Sequence, residues 1–566
     1  MQSKNIILPA LAAAALLTSC SSLGNLSADN FTVTPSPLEA VGGQVPVTIN
    51  GRFPEKYMKK KAVVTVTPVL RYNGGQTDGQ SATFQGENVA GNNQEISYKV
   101  GGNYTMKNTF TYQPAMAESE LYLTFNACIG NKAVKIPEVK VANGVVATST
   151  LLSDAISGAN TATGEDKFQY AISQTKEAQI KYLINQANIR TSELRSVSVQ
   201  DFVQTLRDIK ADERSMQIDG IQVSAYASPE GKTSFNQALA EKREGTSTDL
   251  VKKQLKDAKL DAPVDSRYTA EDWDGFQQLV AASNMQDKDV ILRVLSMYDD
   301  PEQREAQIRN LSSAFTELAD EILPELRRAR LTLNYNLLGR TDSEIQEQYA
   351  ADPSKLSVEE LLYSATLTDD AAQKRDILTT TTRLYPSDAR AYNNLGQIAH
   401  AAGDLATARN YYTTALEKDP SSAEANANKA LVDIAEGNLN EAEKALGKAG
   451  NAKNYREAVG NLALARGVYP QAVTALEGCK TNSAALAQIL SKDYTQAAKT
   501  LSSISSPDAT TSYLKAILAA RTGQNAQAIT ALRDAIDKNA AYKTRAASDL
   551  EFANLASDSA FAALVK

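Results

Sequence analysis

The most constraining feature of this chain is an alanine-centred repeat in its C-terminal third. Ala408 is followed by Ala442 after 34 residues, and Ala472, Ala497 and Ala528 come after 30, 25 and 31. In the clearest unit, small residues at Gly396 and Ala408 let two antiparallel helices approach, and Tyr392, Leu395, Leu405 and Tyr412 fill the gaps between them. Gly403 turns the chain and Pro420 stops the second helix. One such hairpin cannot bury its apolar face alone, so neighbours must stack into a continuous core. Even a 25-residue unit holds two helices of about eight to ten residues. Five or six helix pairs are expected from Leu356 to Ala546, with a degenerate unit ending at Pro386 ahead of the clear one and a tail from Ser548 as cap.

Tyr392, Leu395, Gly396, Ala399, Gly403, Leu405, Ala408, Tyr412, Ala415 and Pro420 fall where tetratricopeptide repeats want them, and residues 356–566 resemble an all-α solenoid of that family. Arg390, Asn393, Gln397 and His400 lie off the packing row of the first helix at spacings of three or four, so they should line the concave side. The matching row of the next repeat is Glu424, Ala427, Leu431 and Ile434. Such a groove, part polar and part apolar, suits an extended peptide or a partner helix. The alternative is that this surface packs on the chain's own domains or is merely solvated.

At the other end, Lys4 is followed by an apolar run from Ile6 to Leu17, too short for the roughly 20 residues of a membrane-spanning helix. Residues 1–19 read as an export signal. Leu17-Thr18-Ser19-Cys20 is similar to a bacterial lipobox, which implies lipidation of Cys20 and anchoring by acyl chains, palmitate among them. No charge stands between Cys20 and Asp29, and a periplasm-facing outer-membrane lipoprotein is expected. Residues 20–152 are rich in Val, Thr, Tyr and Gly, with period-two runs at Val63–Leu70, Glu95–Val100, Leu121–Phe125 and Val134–Val141. An Ig-like β-sandwich is expected there. Tyr72, Tyr98, Tyr104 and Tyr112 are either a contact face or ordinary packing.

Residues 153–178 begin with a Ser-, Gly-, Ala- and Thr-rich stretch lacking periodicity and read as a linker. Ile221, Val223 and Ala225 then alternate with polar residues, as in a half-buried strand. Pro229 and Gly231 break the chain, and Ser234 and Gln237 have capping-box spacing for the next helix. With Gly231, Asn236, Leu239 and Arg243, and an Arg-rich closing strand at Leu326–Tyr335, residues 179–336 resemble an α+β OmpA-like peptidoglycan-binding domain, followed by a connection over 337–355. That resemblance implies that Arg243, beside Asn236, holds a carboxylate of diaminopimelate in the peptidoglycan stem. The family's acid for the ammonium end falls on Ser228, and Glu230, two residues on, is the candidate substitute.

A net charge of -7 and a pI near 5.3 argue against nucleic acid as a partner. The single histidine, His400, has no Ser-His-Asp pattern around it, and no Cys or carboxylate cluster stands at metal-ligand spacing, so neither enzyme, metal nor cofactor is expected. Two functions compete. One is a lipid-anchored protein that ties the outer membrane to peptidoglycan and scaffolds envelope proteins on its repeats. The other is a protein-binding assembly factor of an envelope or secretion complex that does not bind peptidoglycan.

Overall fold

The computed structural model describes residues 22–310 and 316–566, so Cys20 and the signal over 1–19 lie outside it. The chain divides into two units, residues 1–166 with 361–566, and residues 167–360. The second is therefore an insertion in the sequence of the first.

The β-rich part of the first unit comprises β1 (Phe31–Thr34), β2 (Gln44–Phe53), β3 (Ala62–Tyr72), β4 (Gly75–Asp78), β5 (Ala82–Gly86), β6 (Gln94–Ile96), β7 (Gly102–Thr111), β8 (Ser119–Ile129), β9 (Lys132–Val134) and β10 (Val139–Asn143). One sheet has the order β1-β2-β7; the other is β10-β8-β3-β5-β6, with β4 on β3 and β9 on β8. Alternation explains the two layers: Val45, Val47, Ile49 and Phe53 of one sheet share a core with Val64, Val66, Leu121 and Leu123 of the other. Two expected strands are cut short. The run at Glu95–Val100 forms strand only as far as Ile96, because the chain turns back through Gly101, whose φ is +75°. The run at Val134–Val141 is interrupted between β9 and β10, where Pro137 lies. The tyrosines do not make a face, since Tyr104 is buried against Phe53 and Phe84 while Tyr72 and Tyr112 pack on the same core.

The expected linker is an ordered element instead. Residues Leu152–Ser157 form a short helix whose Leu152, Ala155 and Ile156 join the core of the helical array; Gly158 and Ala159 turn on its end, and residues 160–166 run on with no helix or strand of their own.

The inserted unit has β11 (Ala171–Lys181), β12 (Met216–Tyr226), β13 (Val264–Thr269) and β14 (Arg328–Leu338) in the order β11-β14-β12-β13, antiparallel except for the β12–β13 pair. Helices Val197–Ala211 and Thr233–Ala258 bury Phe202, Leu206, Val251 and Leu255 against Ile180, Val223, Leu331 and Leu333 of the sheet. The first strand begins eight residues earlier than Gln179 and ends at Lys181, which leaves Ile184 54% exposed in the loop beyond. Between β13 and β14, helices Trp273–Ala282, Lys288–Met297 and Pro301–Asn310 belong to a segment with its own small core around Phe276, Val280, Ile291 and Leu323.

In the C-terminal array, a leading helix Ala371–Leu384 is followed by five pairs: Ala389–Ala401 with Leu405–Lys418, Ala423–Ala435 with Leu439–Leu446, Tyr455–Ala465 with Tyr469–Ala475, Asn482–Leu490 with Tyr494–Ser503, and Ala509–Arg521 with Asn525–Lys538. Ala541–Ser548 and Ser559–Val565 close the end. Each pair turns through a left-handed residue, Gly403, Gly437, Gly467, Lys492 or Gly523, and these positions keep the irregular spacing of the alanines. Gly396 has no room for a side chain: a Cβ there would lie 2.4 Å from a ring carbon of the fully buried Tyr412. Gly396→Ala is therefore expected to destabilise the array by roughly 2 kcal/mol through overpacking. Adding Tyr412→Leu should restore part of that loss in urea unfolding, and equal instability of the double variant would contradict this close approach.

Candidate functional site: the inner face of the helical array

The first helices of successive pairs carry polar side chains that are buried, and what buries them is the segment 158–166 of the same unit. Asn428, on Ala423–Ala435, accepts from the Ala162 N–H at 2.7 Å and donates to its carbonyl at 2.8 Å. Asn393, on Ala389–Ala401, donates to that carbonyl at 2.9 Å, and its own oxygen accepts from Asn428 at 2.9 Å. Asn394 holds Gly164 in the same two-handed way, at 2.8 and 3.1 Å. Asn454 donates to the Asn160 carbonyl at 3.0 Å, while Glu457 accepts from the Asn160 main chain at 3.4 Å and from its side-chain amide at 3.0 Å. Gln397 donates to the Thr161 carbonyl and hydroxyl, and Arg390 to the carbonyls of Glu165 and Asp166. Leu431 and Ile434 lie in the apolar core that includes Leu152, Ala155 and Ile156.

Arg390, Asn393, Gln397, His400, Leu431 and Ile434 are thus brought together, and the groove they were expected to offer a partner is filled by the chain itself. Sequence reasoning missed Asn394, Asn428, Asn454 and Glu457. The available signal was the recurrence of asparagine on the Ala-rich first helices, at Asn393, Asn394, Asn426 and Asn428, and at the start of the next, Asn454.

Two groups here titrate against their surroundings. The His400 Nε2–H donates to the Ile156 carbonyl at 2.8 Å, and Nδ1 is buried without a partner. Burial holds this imidazole below its ordinary 6.5, with the Ile156 hydrogen bond opposing in smaller measure. Burial raises the Glu457 carboxyl above its ordinary 4.5, with the Asn160 donors opposing. The signs differ. Unfolded chain takes up the His400 proton first, so that contribution to stability is complete above about pH 6.5 and is lost as the pH falls. Folded chain takes up the Glu457 proton first, so its contribution grows as the pH falls toward 4.5. Between pH 7.5 and 5, the Tm of His400→Gln relative to wild type should rise and that of Glu457→Gln should fall. Calorimetry at both pH values checks this, and slopes of the same sign would contradict the burial of one of the two groups.

In the inserted unit, the expected stem-peptide residues are close together but engaged with protein. The Arg243 side chain is 0% exposed, and its guanidinium donates to the carbonyls of Gln186, Tyr226 and Leu183 at 3.0, 2.9 and 3.2 Å over the Tyr182 ring. Burial pushes its pKa down to about 10, which leaves it charged at neutral pH. The expectation of a donor fork open to a ligand is corrected: the Asn236–Arg243 face of the helix points inward. Asn236 is also buried, bonded to the Gly231 carbonyl at 3.3 Å. Glu230 is held bidentately by Arg327 at 2.8 and 3.0 Å and accepts from the buried Ser228 hydroxyl at 2.8 Å. The helix begins at Thr233 with Lys232 as N-cap and no capping side chain, in place of the expected Ser234–Gln237 box. Glu305 accepts from the Gly231 N–H at 2.8 Å, and Glu271 accepts from the Thr233 hydroxyl at 2.9 Å. The chain's own carboxylates therefore occupy this turn.

Cys128 and Cys479 are free thiols. Among the described residues, no group of three or more His, Cys, Asp or Glu is placed to hold a metal ion, and no helix is long and apolar enough to cross a membrane.

Sequence models of the tetratricopeptide repeat match residues 399–466 and 370–423. Among solved structures, a tetratricopeptide repeat protein from Parabacteroides merdae is 15% identical, with 35% of this chain and 85% of that one covered and a TM-score of 0.28. PilF of Pseudomonas aeruginosa is 16% identical, with 38% and 99% covered and a TM-score of 0.26. PilW, a type IV pilus biogenesis factor, is 15% identical, with 40% and 89% covered and a TM-score of 0.21. No curated protein matches the chain. The helical array thus carries tetratricopeptide repeats over residues 370–466.

Proposed function

We propose that this chain is a lipid-anchored protein of the bacterial outer membrane, facing the periplasm, whose repeats assemble envelope proteins and whose central unit does not grip peptidoglycan through Arg243. The observation that carries this reading is the row of asparagines on the inner face, which holds an extended main chain by paired amide bonds and so suits protein segments. The anchor rests on Cys20 alone, so Cys20→Ala should leave the protein exported but soluble after a high-salt wash. A photo-cross-linker at Gln397 in intact cells should give discrete intermolecular adducts; purely intramolecular products would count against a scaffold.

The second reading is peptidoglycan attachment by the unit that resembles OmpA-like domains. It is supported by the spacing of Gly231, Asn236, Leu239 and Arg243, and opposed by the engagement of Arg243 and Glu230 with protein groups. Sedimentation with purified diaminopimelate-type peptidoglycan separates the two. The protein should stay in the supernatant, and retention that is lost on Glu230→Gln would favour attachment.

A further inference from the structure

Segment 158–166 is read through its main chain, most fully at every second residue. Asn160, Ala162 and Gly164 each have both N–H and carbonyl bonded to side chains of the array, which is the two-residue period of extended chain. Side chains matter at few places. Ala162 is 2% exposed, so the site admits only a small group there. A Cβ on Gly164 would lie 3.1 Å from the Cα and Cβ of Arg390, a tighter approach than most side chains make, so glycine is the residue that fits here without displacing that helix. The Asn160 amide meets Glu457 at 3.0 Å, and Glu165 meets Lys453 at 2.9 Å at the exposed end.

The helix just before this segment is held differently, by burial of Leu152, Ala155 and Ile156 in the array core. Residues 158–166 bury little apart from Ala162 and Gly164 and are held mainly by hydrogen bonds to peptide groups, which any extended chain offers. The anchoring helix keeps them at high effective concentration, so a competing segment must overcome an intramolecular occupant.

We propose that residues 158–166 are an exchangeable strap, and that the inner face takes in its place an extended segment of a protein partner with the same chemistry: asparagine, a small residue two positions on, glycine four positions on, and an acid after it. This deepens the scaffold reading by naming the segment that the repeats recognise.

The test uses the full chain and a fluorescent synthetic peptide with the sequence of residues 156–167, followed by anisotropy. Ala162→Arg, which cannot seat its side chain, should release the strap and bind the peptide at least roughly tenfold more tightly than wild type. Adding Asn428→Ala should abolish that gain. Equal affinity of wild type and Ala162→Arg, or no binding by a folded Ala162→Arg, would overturn the proposal. If Ala162→Arg does not fold, amide exchange in the wild type decides: the Ala162 and Gly164 N–H groups should exchange faster than the buried amides of Ala423–Ala435, and exchange only by global unfolding would refute exchangeability. Cross-linking at Gln397 reports partner binding whatever the partner's sequence, so failure of this motif and failure of the scaffold reading remain distinguishable.

Discussion

Arg243→Ala is expected to destabilise the inserted unit by about 3–5 kcal/mol rather than to reduce a ligand affinity. Removing the guanidinium takes a donor from the carbonyls of Gln186, Tyr226 and Leu183, of which Leu183 keeps the Gln186 N–H, at about 1–3 kcal/mol for each carbonyl left unpaired where water does not reach. It also opens a cavity beneath Tyr182, whose ring lies 5.1 Å from the guanidinium carbon. Arg243→Lys keeps the charge but not the planar fork, so it should recover only part of the loss. The readout is clean, because the single tryptophan, Trp273, lies in this unit and reports its unfolding in urea without interference from the array. Unchanged urea stability in Arg243→Ala, accompanied by loss of peptidoglycan retention, would return the residue to a binding role.

That reversal shows what spacing can and cannot reveal. Seven residues from Asn236 to Arg243 are about two helical turns, which puts both on one face, but a period does not say whether that face meets solvent or sheet. Here Ala240, Val251 and Leu255 are buried with them. The repeats were legible because Gly396, Ala408 and Tyr412 are coupled by sterics, and sterics leave a residue pattern. The strap left none. Its bonds run through peptide groups that every residue carries, so Ser153–Lys167 looked like a featureless linker. Half of the recognition was visible as Arg390, Asn393, Gln397 and His400 on one helix face. The occupant was not, since it lies more than 200 residues away and is specified mainly by small size at Ala162 and Gly164.

Asn428→Leu should release the strap while leaving the array folded. Asn428 is fully buried and joins four groups: the Ala162 N–H, the Ala162 carbonyl, the Asn393 oxygen and the Asn454 amide. Leucine of similar size removes all of these bonds. The Ala162 carbonyl keeps Asn393 and the Asn454 amide keeps the Asn160 carbonyl, which leaves two orphans, the Ala162 N–H and the Asn393 oxygen. At about 1–3 kcal/mol each, the loss is roughly 2–6 kcal/mol if the strap stays in place. Undocking instead returns both orphans to water and leaves the buried Leu431 and Ile434 beside the anchoring helix. Undocking is thus the cheaper response, and protease sites within 158–166 should become accessible. Amide exchange at Ala162 and Gly164 should speed up at least roughly a hundredfold, since about 1.4 kcal/mol is a factor of ten. Buried amides of Leu405–Lys418 should change far less. If strap and array instead lose protection together, the strap is an integral part of the array's cooperative core, and no partner segment can replace it without unfolding the scaffold.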